Sequence, residues 1–250
     1  MTVDQSFQTL FAVPLSCEGC VKAVSDSLYN LGGITKVEGN VKDQLISVEG
    51  SAAPSAIVEA IQKTGKDAIL RGSGASDSAA VSILETFVDK RRTENEGTPR
   101  EVRGLARMVE VGSGRTLVDL TVRGVSPGLY RASIREYGNL EDGAESAGPV
   151  WRGNDKQGEP RGALGVVRVD ETGRGSAFVD HPFQIWEVIG HAMVLTKQEE
   201  GSGTLKNDQD TVVGVIARSA GVWDNDKTVC SCTGKTLWEE RRDEVAKGML

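Results

Sequence analysis

Four cysteines are the chain's only thiols, and they come as two close pairs, Cys17-x-x-Cys20 in "PLSCEGC" and Cys230-x-Cys232 in "TVCSCTG". Thiolates are soft ligands for Cu(I), Zn(II) or an iron–sulfur corner, and they are also the nucleophiles of disulfide exchange. Where thiols are few and closely paired, metal binding or redox work is the more frequent use than stapling. Two ligands suit low-coordinate Cu(I) best at Cys17 and Cys20, because zinc and clusters usually want four. A thioredoxin-like redox pair and incidental thiols stay open beside that reading. For Cys230 and Cys232 the spacing admits half a metal site, a strained disulfide, or coincidence. A disulfide between them would close a small ring and be comparatively oxidising.

The elements that must position the first pair are legible. "TLFAVP" is a short apolar run stopped by Pro14. Val21, Val24, Leu28 and Leu31 then recur at helical spacing, ending at Gly32-Gly33. Cys17 and Cys20 therefore sit where a strand hands over to a helix N-terminus, whose N–H groups and dipole favour thiolate. "KVEGNVKDQLISVEG" reads as two strands around a polar turn. A second helix follows from Pro54, with Ile57, Ala60 and Ile61 on one face, and "DAILRG" supplies a last strand. The order is βαββαβ, a ferredoxin-like unit over residues 1–72. "RGSGASDSAA" reads as a small-residue hinge.

Residues 73–222 have another texture. "VSILETFV", "RGLARMVEVG", "TLVDLTVRGV", "GLYRASIREYG", "HAMVLTK" and "TVVGVIARSAG" are strand-length runs broken by glycine. That spacing predicts an all-β sandwich or barrel. Residues 223–250 form a short, mostly irregular tail with a helix-like finish, "TLWEERRDEVAKGM", too small to own a core.

Charge and composition exclude several classes. The net charge is −7, and the three segments carry 6, 18 and 5 basic residues against 8, 22 and 6 acidic ones. No basic block exists to neutralise phosphates, so sequence-independent nucleic-acid binding is not expected. No apolar run reaches 18 residues, so no membrane span is expected. "MTVDQSFQTL" lacks the zones of a signal peptide, and the cytosol is the default compartment, with the mitochondrial intermembrane space as a second.

"FAVPLSCEGCVKAVSDSL", with "GGITKVEGN" and "GKDA", resembles the heavy-metal-associated domain of copper chaperones, with Leu15 in place of that motif's methionine. The resemblance puts Lys66 near the anionic dithiolate–copper centre. "GAESAGPVW", "ASIREYGN", "VIGHAMVL" and "GVIARSAG" resemble segments of copper–zinc superoxide dismutase, which implies a Greek-key barrel. Against that family, Ser133, Arg135 and Thr196 stand at copper-ligand positions and Val150 at the metal-bridging one. Pro160 and Ala163 stand at two zinc-ligand positions, and Ala144 and Val213 at the disulfide cysteines. His181 and His191, the only histidines, align with no ligand. The resemblance thus implies a fold without the dismutase activity.

The combination, with R-S-A-G and C-x-C at the end, resembles the fungal-type copper chaperones for superoxide dismutase. It implies that Cys17 and Cys20 acquire Cu(I), and that the barrel forms a heterodimer with an immature dismutase subunit. The contacts would be Val188, Ile189 and Gly190 in one segment and Gly214, Val215, Ile216 and Arg218 in another. Packing within the barrel is the alternative role for the apolar ones. Cys230 and Cys232 would pass on copper and promote disulfide formation in the client, with Cu(I) as cargo. Homodimerisation is a further possibility, because an isologous surface can pair with a relative or with itself. A zinc-stapled structural protein and a residual dismutase are the competing classes.

Overall fold

The computed structural model describes residues 6–75, 77–87, 101–112, 114–153, 159–199, 204–222 and 235–246. Two β-structures account for most of them. The first runs β1 (Phe7–Ala12), α1 (Glu18–Leu31), β2 (Ile34–Asn40), β3 (Leu45–Gly50), α2 (Pro54–Gln62) and β4 (Ile69–Ser73). Its antiparallel sheet has the order β2-β3-β1-β4, the ferredoxin-like arrangement. Val24 and Leu28 of α1 and Ile57, Ala60 and Ile61 of α2 bury one face of each helix against Phe11, Ile46 and Val48 of the sheet. Leu31, expected on the same apolar face, is 39% exposed. The helix stops there because Gly32 and Gly33 take φ of +81° and +72°, conformations that L side chains resist.

The second structure is built from β5 (Ala79–Thr86), β6 (Val102–Val111), β7 (Arg115–Arg123), β8 (Gly128–Arg135), β9 (Ala163–Val169), β10 (Arg174–His181), β11 (Ala192–Thr196) and β12 (Val212–Val215). A short α3 (Ile185–Val188) precedes β11, and a two-residue β13 (Ala217–Arg218) pairs with β5. The order β12-β11-β8-β9-β10-β7-β6-β5 closes on itself because β12 also pairs with β5. That closure makes an eight-stranded antiparallel barrel with two Greek-key crossings, and closure removes the free sheet edges. Tyr130, Phe183, Leu84, Met108 and Ile134 fill its interior.

The expected hinge is stitched to both structures. Gly74 N–H donates to Gln8 O at 2.8 Å, and Val222 N–H donates to Gly74 O at 2.9 Å. Gly72 lies so close to the Gly221 carbonyl that a Cβ would collide with it. The small residues of this stretch therefore serve close backbone approach, not free rotation. Phe7 of β1 packs with Val109, Val111 and Leu117 of the barrel. Asp119 of β7, 2% exposed, accepts from Ser55 N–H at 2.8 Å and Ser55 Oγ–H at 2.6 Å. Ala53 at the α2 N-cap has no side-chain acceptor, so the barrel caps the other domain's helix. Burial pushes the Asp119 carboxyl up, opposed by Arg107 at 3.4 Å and by Ser55.

The tail's helix, α4 (Leu237–Ala246), starts with a reciprocal cap. Glu239 N–H donates to Thr236 Oγ1, and Thr236 N–H donates to Glu239 Oε2. It leans on the first domain: Arg241 donates twice to Asp67, at 3.1 and 3.2 Å. Trp238, Arg241 and Arg242 face Pro14, Gln44 and Asp67 across a cleft of about 390 Å³. Among the described residues no helix is long and apolar enough to cross a membrane.

Candidate functional site

Cys17 is the N-cap of α1 with extended backbone, and Cys20 lies in its first turn, its N–H donating to Cys17 O at 2.9 Å. Leu15, three residues after the core strand residue Ala12, is buried in the apolar cluster and fixes the loop from below. Cys17 is exposed and Cys20 half-buried, both as free thiols with sulfurs 3.8 Å apart. Two metal–thiolate bonds of about 2.3 Å each span roughly 4.6 Å in line, so the pair would open by less than about 1 Å around an ion. Ser16 Oγ lies 3.2 Å from Cys20 Sγ. The Ser16 hydroxyl and then its backbone N–H lower the Cys20 thiol to about 6. Slight desolvation opposes them, and the Lys66 ammonium and Cys17 assist. The site therefore presents a preformed thiolate beside a cation. Lys66 acts on the Cys20 thiol from the loop ahead of β4, one residue before Asp67, which α4 grips.

Cys230 and Cys232 lie outside the described residues.

The positions that the dismutase resemblance gives to metal ligands carry other chemistry. Ser133, Arg135 and Thr196 are all buried. Arg135 Nε–H donates to Gly148 O at 3.0 Å, and its Nη1 to Ser133 Oγ at 3.3 Å. Thr196 Oγ1 pairs with Thr211 Oγ1 at 2.8 Å. A guanidinium has no lone pair for a metal and repels cations, so Arg135 fills the place that the dismutase resemblance gives to copper. His191 Nδ1 bonds Arg135 O at 2.8 Å and His181 Nε2 bonds Leu164 O at 3.3 Å. Among the described residues no three His, Cys, Asp or Glu side chains gather to hold a metal. Ala144 and Val213, at the disulfide positions, pack in one apolar cluster with Ala192, Val194 and Leu205.

The residues expected to meet a partner divide into two layers. Val188, Gly214 and Ile216 are buried, whereas Gly190, Val215 and Arg218 are exposed and Ile189 is half-buried. The two segments lie together: Gly190 N–H donates to Ile216 O and Ile216 N–H donates to His191 O, both at 2.9 Å. Gly138 presses against both Gly190 and Val215. Arg218 Nη1 lies 3.3 Å from Asp77, and both side chains are solvent-exposed. Sequence reasoning did not single out Tyr137, which precedes Gly138, or Trp186 of α3; they are 56% and 64% exposed.

Comparison with known proteins places both halves. The heavy-metal-associated domain model matches residues 9–67, and the copper/zinc superoxide dismutase model matches residues 102–220. The superoxide dismutase 1 copper chaperone of Saccharomyces cerevisiae is 41% identical over 258 residues, covering 100% of both chains. That of Debaryomyces hansenii is 44% identical over 259 residues, covering 99% of each. The human copper chaperone for superoxide dismutase is 32% identical, covering 94% of this chain and 89% of its own. These relatives carry the name of copper chaperones, not of dismutases. The likeness runs through both domains at full length, and the chain belongs to the copper chaperones for superoxide dismutase.

Proposed function

We propose that Cys17 and Cys20 acquire Cu(I), that the barrel docks an immature dismutase subunit, and that Cys230 and Cys232 deliver copper and oxidising equivalents to it. The observation that carries this reading is the Cys17–Cys20 pair of free thiols, 3.8 Å apart at the start of α1, with Ser16 Oγ and Lys66 lowering the Cys20 thiol to about 6. A thiolate already formed at neutral pH can take a soft monovalent ion without first losing a proton. Residues 1–72, 73–222 and 223–250 are then three modules for acquisition, recognition and delivery.

Docking uses the surface layer, Ile189, Gly190, Val215 and Arg218, with Val188, Gly214 and Ile216 shaping it from beneath. A barrel that keeps the relative's self-complementary face can pair with that relative as it would with a second copy. In the oxidation step two client thiols become a disulfide, and the tail disulfide becomes two thiols. Dioxygen then accepts the electrons that restore the tail.

The test is a transfer assay with copper-free, disulfide-reduced dismutase, the Cu(I)-loaded chaperone and oxygen. Cys230→Ser and Cys232→Ser variants should still bind the client yet fail to yield active, oxidised enzyme. Normal activation by both would end the tail mechanism. A Cys17→Ser/Cys20→Ser double variant should lose Cu(I) binding by the first domain.

A further inference from the structure

We propose that Arg161 is a positioning residue that holds the client-docking turn in place, through a clamp on Glu187 that needs no metal. The inference rests on the reading above that Ile189 and Gly190 belong to the docking surface. Arg161 lies in the loop ahead of β9, in "EPRGALG", and reaches across to the turn that carries α3. Its Nη1 donates to Glu187 Oε2 at 2.5 Å, and its Nη2 donates to Glu187 Oε1 at 3.0 Å and to Pro182 O at 2.7 Å. The guanidinium also stacks over the Trp151 ring, 4.9 Å from its centroid. A planar, permanently charged fork can make all four contacts at once, and a lysine cannot.

Glu187 is the other half. Its Oε1 also accepts Gln184 N–H at 2.9 Å, closing the first turn of α3, so the carboxylate fixes the turn's start. Two residues on, Ile189 leaves the helix in extended conformation and Gly190 hydrogen-bonds Ile216. His191, which ends the turn, packs its ring 5.7 Å from Trp151. One aromatic thus touches both the clamp and the far end of the turn. The loop itself is anchored to the barrel. Gly162 N–H donates to Trp151 O, and Ile134 N–H donates to Gly162 O, each at 2.8 Å. Only 26% of the Arg161 side chain and 13% of the Glu187 side chain remain exposed, so the pair is shielded more than a surface bridge.

The consequence is that Arg161 sets where Ile189 and Gly190 stand relative to Val215. The experiment measures affinity of the full-length chain for copper-free, disulfide-reduced dismutase. Arg161→Ala and Glu187→Gln should each weaken binding by roughly tenfold, and the double variant should be no more than about twofold worse than either, because one interaction is lost once. Arg161→Lys should recover part of the affinity. Hydrogen exchange should quicken at residues 185–191 while amides of β6 and β7 keep their protection. Ile189→Glu serves as the reference for the surface itself. If Ile189→Glu abolishes binding while Arg161→Ala binds normally, the clamp is refuted and the surface stands. If Ile189→Glu binds normally, the surface reading fails and the clamp falls with it. Multiplicative losses in the double variant, or faster exchange throughout the barrel, would also overturn the proposal.

Discussion

Ser16 is the cheapest place to test whether the first cysteine pair is tuned for copper. Its hydroxyl, 3.2 Å from Cys20 Sγ, and its backbone N–H are the two largest influences lowering that thiol to about 6 from its ordinary 9.0. With a value near 6, about 90% of Cys20 is thiolate at pH 7, whereas an untuned thiol would be about 1% ionised. Ser16→Ala removes the hydroxyl and leaves the backbone donor, so the thiol should rise only part of the way. The thiolate fraction at pH 7 should then lie between these limits, below about 90% and above about 1%. The lower intrinsic nucleophilicity of a low-pKa thiolate would shrink the gap in alkylation rate, but it cannot move the inflection.

The assay is the pH dependence of iodoacetamide alkylation, read at the Cys20 peptide by mass spectrometry so that the tail thiols do not interfere. The wild-type rate should level off above about pH 7, and that of Ser16→Ala should still be climbing there. Lys66→Gln should shift the inflection by less than Ser16→Ala, in keeping with its smaller influence. Copper loading at pH 7 should release more protons from Ser16→Ala than from the wild type. A wild-type inflection near 9, or identical profiles for the wild type and Ser16→Ala, would refute the reasoning.

Two further predictions concern the frame that carries the site. Asp119→Ala removes the cap on α2 and strands Arg107 in a mostly buried place, and it should cost about 2–4 kcal/mol in urea denaturation; a loss under about 0.5 kcal/mol would show that the cap carries little. Around Asp210 burial raises the carboxyl, yet Ser126, Tyr130 and Lys197 donate to it and hold it well below the usual carboxylate range. That depression stabilises the fold fully above about pH 4, and the benefit is lost as pH falls towards the folded value. Asp210→Asn should therefore lower stability at pH 7 and flatten its decline between about pH 4 and 2; an unchanged acid limb would exclude Asp210 as its source.

Much of this architecture is legible in the sequence because local signals and burial agree. The apolar face of α2, the glycines that end α1 and the cysteines at a strand-to-helix junction each follow from short-range rules. The misses have physical causes. β10, "RGSAFVDH", has no fully buried residue, so it offers no apolar alternation to detect. β9 loses its alternation in mid-strand, where Gly165 at φ +105° is followed by the exposed Val166. The Ser55–Asp119 cap joins residues 64 apart and has no local signature. Two halves of a hint were nonetheless present: Ala53 leaves α2 without a side-chain acceptor, and Asp119 interrupts the apolar run "TLVDLTV". Likewise "EPRGALG" gave no sign that Arg161 reaches Glu187, because only the folded loop brings them together.

The same contacts bear on how cargo could reach a client. The first domain is held to the barrel by the buried Asp119 cap, by Phe7 in the barrel's apolar cluster and by the Gly72–Gly221 backbone approach. Swinging Cys17 and Cys20 to a docked subunit would break all three: Asp119 keeps Arg107 but α2 loses its cap, about 1 kcal/mol, and Phe7 leaves the apolar cluster, about 1.5–3 kcal/mol. Within the barrel, Arg135 is buried and bonded to Gly148 O and Ser133 Oγ, and among the described residues no three His, Cys, Asp or Glu side chains gather there to hold a metal. The function proposed above assigns that transfer to the chain's other thiols, Cys230 and Cys232 of the tail. α4 ties that tail to Asp67, one residue from Lys66 and the Cys20 thiolate. Among the described residues the Arg241–Asp67 ion pair thus ties α4 to the loop that also carries Lys66, so the tail's helix and the dithiol share one edge of the first domain.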